Sequence, residues 1–280
     1  MRERTVFRPA ALAAGLLGLG ILPGALLGGL LAPAAASAAG SQPRPSQPHL
    51  EASAGITYLE GDFGTGRSSQ IHYAPFQLRY RAGRTRLKLT VPYLAVRTEG
   101  VILSGGTVVG TRDTGQATAR AGLGDVWLEV RHILLQGRGT LASVAPYAKV
   151  KFATASRDKG LGTGENDYEV GLALQHRLGS RAFPFLQAGY RFVGKPAGYR
   201  LRDIALYRGG VSWIAGRRHV LTGMVSGRQA SQARLDDALD LILAWNYEHR
   251  PGKGWQIYLD KGLSSGSPDL GMGVSASWRF

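Results

Sequence analysis

Asp269-Leu270-Gly271-Met272-Gly273-Val274-Ser275-Ala276-Ser277-Trp278-Arg279-Phe280 ends the chain. Leu270, Met272, Val274, Ala276, Trp278 and Phe280 fall on one side of an extended strand, because successive side chains of a strand point to opposite faces. The same alternation runs backward through the sequence. Leu239, Leu241, Leu243, Trp245 and Tyr247 oppose Asp240, Asn246 and Glu248, and Tyr168, Val170, Leu172 and Leu174 oppose Glu169, Gly171, Ala173 and Gln175. Val144, Pro146, Ala148, Val150 and Phe152 alternate with Ser143, Tyr147, Lys149 and Lys151; Val126, Leu128 and Val130 alternate with Asp125, Trp127, Glu129 and Arg131. Leu87, Leu89, Val91, Tyr93 and Ala95 oppose Arg86, Lys88 and Thr90. Period 2 is the strand pattern, and no stretch after residue 50 carries the 3.6-residue period of a helix.

A soluble sandwich also alternates, so the arrangement of the breaks has to decide. Short breaks fall at Ala82-Gly83-Arg84, Gln136–Gly139, Gly179–Arg181, Ala215–Arg218 and Pro251–Gly254. Longer ones fall near 60–69, 98–117, 155–166, 194–203, 228–235 and 263–268. Five short turns and six long loops interleave about twelve strands, the pattern of a transmembrane antiparallel up-and-down β-barrel with short periplasmic turns and longer external loops. The aromatics agree. Tyr80, Trp213, Tyr247, Trp255 and Trp278 lie toward the short turns, while Tyr58, Phe152, Tyr168, Phe192 and Tyr207 lie toward the long loops. Two belts of amphipathic rings suit two membrane–water interfaces. A closed sheet is required there, since lipid offers no partner to an unpaired backbone group. The apolar faces named above hold no Lys, Arg, Asp or Glu, and one charge at mid-bilayer costs roughly 2–4 kcal/mol. The expected fold class is therefore all-β.

The chain has 280 residues, 34 Lys+Arg, 19 Asp+Glu and no Cys. Absence of cysteine removes disulfide frameworks, thiolate zinc sites and cysteine nucleophiles. With 44% apolar and 9% aromatic residues it is not a disordered chain. One long apolar run occurs, Ala10–Leu31, preceded by Arg2, Arg4 and Arg8 and followed by the small residues Ala36-Ser37-Ala38-Ala39. This reads as an export signal over 1–39, cleaved after Ala38 or Ala39, with an uncleaved anchor as the alternative. The leader takes three Arg and one Glu from the totals, so 31 basic and 18 acidic residues remain, a net +13. Residues 40–50 form a Pro-rich periplasmic lead-in, and 51–280 the barrel. The expected location is the bacterial outer membrane.

Two resemblances add to this reading. The terminal aromatic strand, with Trp278 and Phe280, resembles the end signature of bacterial outer-membrane barrels, which implies a partner in the barrel-insertion machinery. From about Tyr73 onward the chain resembles the outer-membrane family labelled "MetA-pathway of phenol degradation". The likeness rests on Pro75-Phe76-Gln77-Leu78-Arg79-Tyr80, Val91-Pro92-Tyr93-Leu94, and Gly122-Leu123-Gly124-Asp125-Val126-Trp127-Leu128. It continues through Gly160–Gly164, Asp167–Gly171 and Ala188-Gly189-Tyr190-Arg191-Phe192. Where that family often has Pro-Thr-Gly-Asp, this chain has Ala153-Thr154-Ala155-Ser156. The resemblance implies a twelve-strand barrel passing small, and by the family's label aromatic, compounds. It implies no catalytic residues.

The inward set is charged. Arg79, Arg81, Lys88, Arg131, Lys149, Lys151, Arg177, Arg191 and Arg208, with Arg228 and Arg279, stand against Asp125, Glu129, Glu169, Asp240, Glu248 and Asp260. A basic excess in a watery pore favours anions. The alternative is a lumen filled by mutually paired side chains, since buried charges must be paired. Nucleic acid is not an expected partner, because the basic residues are dispersed on strands and turns and belong to no recognised motif. Arg97, Arg112, Arg200 and Arg202 instead suit lipopolysaccharide phosphates outside.

Enzyme chemistry finds little footing. His132, His176, His219 and His249 sit at or beside short turns, His49 and His72 elsewhere, and no His-x-His or His-Glu-x-x-His pattern occurs. Asp236, Asp237 and Asp240 form the best carboxylate cluster, which a solvated strand end explains as well as acid/base work or a cation. Gly160, Gly162 and Gly164 lack a following Gly-Lys-Ser/Thr and read as a flexible external loop. Gly122, Gly124, Gly271 and Gly273 relieve crowding or allow strand curvature. The expectation is a passive outer-membrane channel for small anionic or polar solutes, without cofactor, metal or catalytic residues. The alternatives are a closed structural or adhesion barrel binding an external partner through its long loops and, as a minor one, an outer-membrane lipid hydrolase.

Overall fold

The computed structural model describes residues 48–98, 101–104, 107–110, 118–137 and 141–280. Residues 1–39, read as an export signal, lie outside the described residues, as do Arg112 and most of the 98–117 loop. All regular structure among the described residues is β: β1 (His49–Gly61), β2 (Ser69–Ala82), β3 (Thr85–Thr98), β4 (Val101–Ser104), β5 (Thr107–Gly110), β6 (Thr118–Leu123), β7 (Val126–His132) and β8 (Ser143–Phe152). There follow β9 (Asp167–Gln175), β10 (Ala182–Phe192), β11 (Ile204–Ile214), β12 (His219–Arg228), β13 (Ala238–Arg250), β14 (Lys253–Gly262) and β15 (Leu270–Arg279). The first strand begins at His49, two residues inside the stretch read as lead-in.

Consecutive strands pair antiparallel around one sheet, and β1 pairs with both β2 and β15, so the sheet closes on itself. β6 and β7 both pair with β3 and together make one barrel strand, while β4 and β5 form a separate hairpin. The barrel therefore has twelve strands. The seam runs in unbroken register from Glu51↔Arg279 to Glu60↔Leu270, and the Phe280 N–H donates to the Leu50 carbonyl at 2.8 Å. Among the described residues the barrel sheet thus closes without a free edge strand, as a lipid surround requires.

Turn chemistry sets the short ends. Pro251-Gly252 links the paired residues Arg250 and Lys253, with Gly252 at φ +75°; proline then glycine at positive φ is the demand of a type II turn. The outer wall is apolar, with Ile56, Leu128, Leu172, Leu186, Leu243 and Leu259 exposed. Tyr80, Trp213, Trp255 and Trp278 ring the short-turn end, and Phe152, Tyr168, Phe192 and Tyr207 the long-loop end, all of them exposed. Next to the first belt, His219 stacks with Tyr247 and with Trp245, whose indole N–H donates to it at 3.1 Å.

One irregularity shapes the interior. Tyr93 pairs with Leu123 and Thr90 with Trp127, so two residues of β3 oppose three of the neighbouring strand. This is a β-bulge at Gly124-Asp125-Val126, and it reverses the phase of alternation. Leu123 and Val126 thereby both face outward, while Gly124 and Asp125 both turn inward. The Thr154 hydroxyl accepts from the Val126 N–H (2.9 Å) and donates to the Gly124 carbonyl (3.1 Å), and the Ala155 N–H donates to Asp125 (3.0 Å). The bulge's unladdered backbone groups are thus satisfied by the loop 153–166.

That loop is folded into the barrel, which corrects the expectation of a flexible external segment. Leu161 is 2% exposed and joins an apolar cluster with Leu59, Ile71, Leu94, Phe185 and Ile242. Gly122 makes room for it: a Cβ there would stand 3.0 Å from the Leu161 Cδ1. An isolated leucine on an external loop has an apolar side chain to cover, and the inside of the barrel covers it.

Candidate functional site

Register places the charged side chains in a row. Across neighbouring strands the Cα partners run Arg279↔Glu51, Glu51↔Arg79, Arg79↔Lys88, Lys88↔Glu129, Glu129↔Lys149, Lys149↔Glu169 and Glu169↔Arg191. Each of eight successive barrel strands contributes one ionisable residue, every one of them at an inward position. The row follows the hydrogen-bonding direction, and strand tilt makes it climb around the wall.

Within the row the partners are mostly closed. Arg79 donates to Glu51 and, at 2.6 Å, to the Gln77 amide oxygen, while Arg279 lies 3.7 Å from Glu51. Lys88 and Arg131 each approach one oxygen of Glu129 at 3.2 Å. Arg191 grips one oxygen of Glu169 through Nε (3.0 Å) and a terminal nitrogen (2.8 Å), and the Tyr147 hydroxyl donates to the other at 3.1 Å. Lys149 behaves differently. Its ammonium lies 4.1 Å from the centroid of Trp127, whose ring also has the Arg191 guanidinium 5.0 Å away.

Around this row sit further groups. Arg131 (3.1 Å) and Arg208 (2.6 Å) both donate to the single amide oxygen of Gln187. Lys151, fully buried, bridges Asp125 (3.4 Å) and Asp167 (3.1 Å). Asp240 is buried with Arg228 4.0 Å away, and Arg81 is half-buried at the short-turn end of β2. A cavity of about 30 Å³ opens between Lys88, Glu129, Tyr147, Lys149, Glu169, Gln187 and Arg208, with room for about one or two waters.

Arg177 is the exception among the residues read as lining the lumen. It lies beyond the end of β9, exposed, with its Nε donating to the Gly179 carbonyl at 2.8 Å. The chain has already begun to turn toward Gly179 (φ +62°), so strand alternation no longer applies there. Sequence reasoning overlooked Glu51, Gln187 and Asp167. Glu51 follows directly on the Pro-rich lead-in, and Gln187 carries no charge to draw the eye. The alternation through Phe183, Phe185, Gln187 and Gly189 was the signal that could have found the glutamine.

The other candidates resolve into structural roles. Asp237 accepts from the Ala230 N–H (2.8 Å) and Asp236 from the Ser265 hydroxyl (2.5 Å), so both fasten loops. Among the described residues, no group of three or more His, Asp or Glu is placed to hold a metal ion.

No family model and no curated protein matches the chain. Solved structures do. An outer-membrane channel from Pseudomonas putida F1 aligns over 84% of this chain and 96% of its own, with TM-score 0.65 and 12% identity. The KdgM porin aligns over 81% of this chain and 99% of its own, with TM-score 0.51 and 8% identity. The translocator domain of autotransporter NalP from Neisseria meningitidis covers 85% of this chain and 90% of its own, with TM-score 0.51 and 10% identity. The likeness lies in the fold of outer-membrane barrels, and it reaches proteins of different activity.

Proposed function

We propose that the protein is an outer-membrane channel through which small polar or anionic solutes diffuse passively. A barrel fold serves channels, translocators and enzymes alike, so the reading rests on the interior. The observation that carries it is the row from Arg279 to Arg191, five cations and three carboxylates set across eight neighbouring strands. Desolvating so many charges is expensive for a wall that needs only to be stable, because apolar packing of the same volume is often as good or better. A charged interior is economical where water and ions pass. Aromatic solutes are supported by the family resemblance alone.

Lipid and lipopolysaccharide are the proposed surroundings, with exposed Arg97 and Arg200 available to outer phosphates. Trp278 and Phe280 are the proposed assembly signature, read by the insertion machinery.

A closed structural barrel is favoured by one specific observation: Lys151 and Leu161 are buried and the loop 153–166 occupies the interior. Single-channel recording of refolded protein in a planar bilayer, with reversal potential under a KCl gradient, separates the two. Discrete steps with anion preference are expected. A silent bilayer containing folded protein would overturn the channel reading and move the search to partners of the long loops.

A further inference from the structure

The cavity beside Lys149 combines three features. First, Lys149 presents its ammonium to an indole face and makes no hydrogen bond or close ion pair among the described residues. A cation over a ring retains unused donors, since all three N–H groups of an ammonium seek acceptors. Second, the nearby carboxylates are already engaged. Both oxygens of Glu129 face Lys88 and Arg131, and both oxygens of Glu169 face Arg191 and Tyr147. Third, Arg131, which also pairs with Glu129, and Arg208 both donate to a neutral amide, Gln187, which adds no negative charge to the cavity wall. Three cations (Lys88, Lys149 and Arg208) and two carboxylates (Glu129 and Glu169) therefore line the cavity, and those carboxylates are further neutralised by Arg131 and Arg191.

We propose that this cavity is a binding station for a small anion, specifically the carboxylate group of a small solute, held by Lys149 and Arg208 with the Tyr147 side of the cavity as its wall. The station deepens the channel reading, on which its transport role rests, but binding itself is measurable without conduction. A carboxylate supplies two acceptor oxygens, one for the ammonium and one for the guanidinium, and charge-assisted pairs of this kind are the strong ones. The indole face of Trp127 attracts the ammonium without accepting a conventional hydrogen bond from it, which leaves its N–H donors to the solute. Weak, reversible binding of this kind is what conduction demands of an internal site.

The test uses full-length protein folded in detergent, with folding checked by the shift in gel mobility on boiling. Chloride serves as the probe through broadening of its ³⁵Cl resonance, and acetate as the competitor. Wild type is expected to broaden chloride in a saturable way, with acetate reversing it. Lys149→Met should lower the saturable broadening at least fivefold. Gln187→Glu, which places a carboxylate between the two arginines without changing the side chain's size, should do the same and stands in if the lysine variant does not fold. Saturable broadening that survives both substitutions, or none in wild type, would overturn the station. Chloride broadening that acetate does not reverse would overturn the carboxylate assignment. A silent bilayer together with Lys149-dependent broadening would remove the channel reading and keep the station; a conducting pore without such broadening would do the opposite.

Discussion

Lys151 and Asp167 face each other in register at the ends of β8 and β9, ammonium to carboxylate at 3.1 Å, across the neck of the loop 153–166. Asp125, on the bulge, completes the grip at 3.4 Å and also accepts from the Ala155 N–H. One fully buried lysine thus ties the bulge, the strand pair and the inward loop into a single unit.

Asp125→Ala removes both an ion-pair partner of Lys151 and the acceptor for the loop backbone. Removing one member of a buried pair costs on the order of 3–5 kcal/mol. Urea unfolding of the variant in vesicles should show a loss of that order. Single-channel conductance should rise, because the loop leaves the lumen. A conductance equal to wild type would mean that the loop does not obstruct the path.

Leu243 lies mid-strand on the outer wall of β13 and is 55% exposed. Leu243→Arg should destabilise the folded barrel by roughly 2–4 kcal/mol in a bilayer, while Leu243→Phe should be close to neutral. Equal effects of the two substitutions on the unfolding midpoint would place that face away from lipid.

Gly273 lies under the ring of Tyr258: a Cβ built on it would stand 2.3 Å from a ring carbon, and the Tyr258 hydroxyl donates to Thr57 across the seam at 2.7 Å. Gly273→Ala must push the buried ring away, an overpacking cost of about 1–3 kcal/mol. In a Tyr258→Ala background the same substitution should cost much less. A double-mutant cycle with no coupling would sink this account.

Phe280 is 77% exposed, and its own tie to the barrel is the N–H bond to Leu50. Its deletion should reduce the yield of assembled protein in cells several-fold, yet leave refolding into detergent nearly unchanged. Equal losses in both settings would make Phe280 a stability residue and not an assembly signature.

Much of the inside/outside assignment was legible because it is local. A strand's period of 2 is written in adjacent residues, so Leu241 and Asp240, or Val130 and Arg131, reveal their opposite faces without any partner strand. Strand number was legible from breaks, since short and long ones alternate along the chain. Arg177 escaped this reasoning because alternation holds only while the chain remains extended. The loop 153–166 escaped it because glycine-rich loops on a surface and inside a barrel have the same local composition.

The sequence by itself determined an all-β chain, an apolar face compatible with lipid, two aromatic belts and a basic excess on the opposite face. Tertiary structure alone decided which charges meet. Register joins residues as distant as Glu51 and Arg279, and one extra residue at Gly124-Asp125 resets the phase of a whole strand. Pairing energies between strands depend on the neighbour chosen and not on the strand itself. The row of charges, the seat of Leu161 and the open cavity beside Lys149 therefore come into being only when the barrel closes.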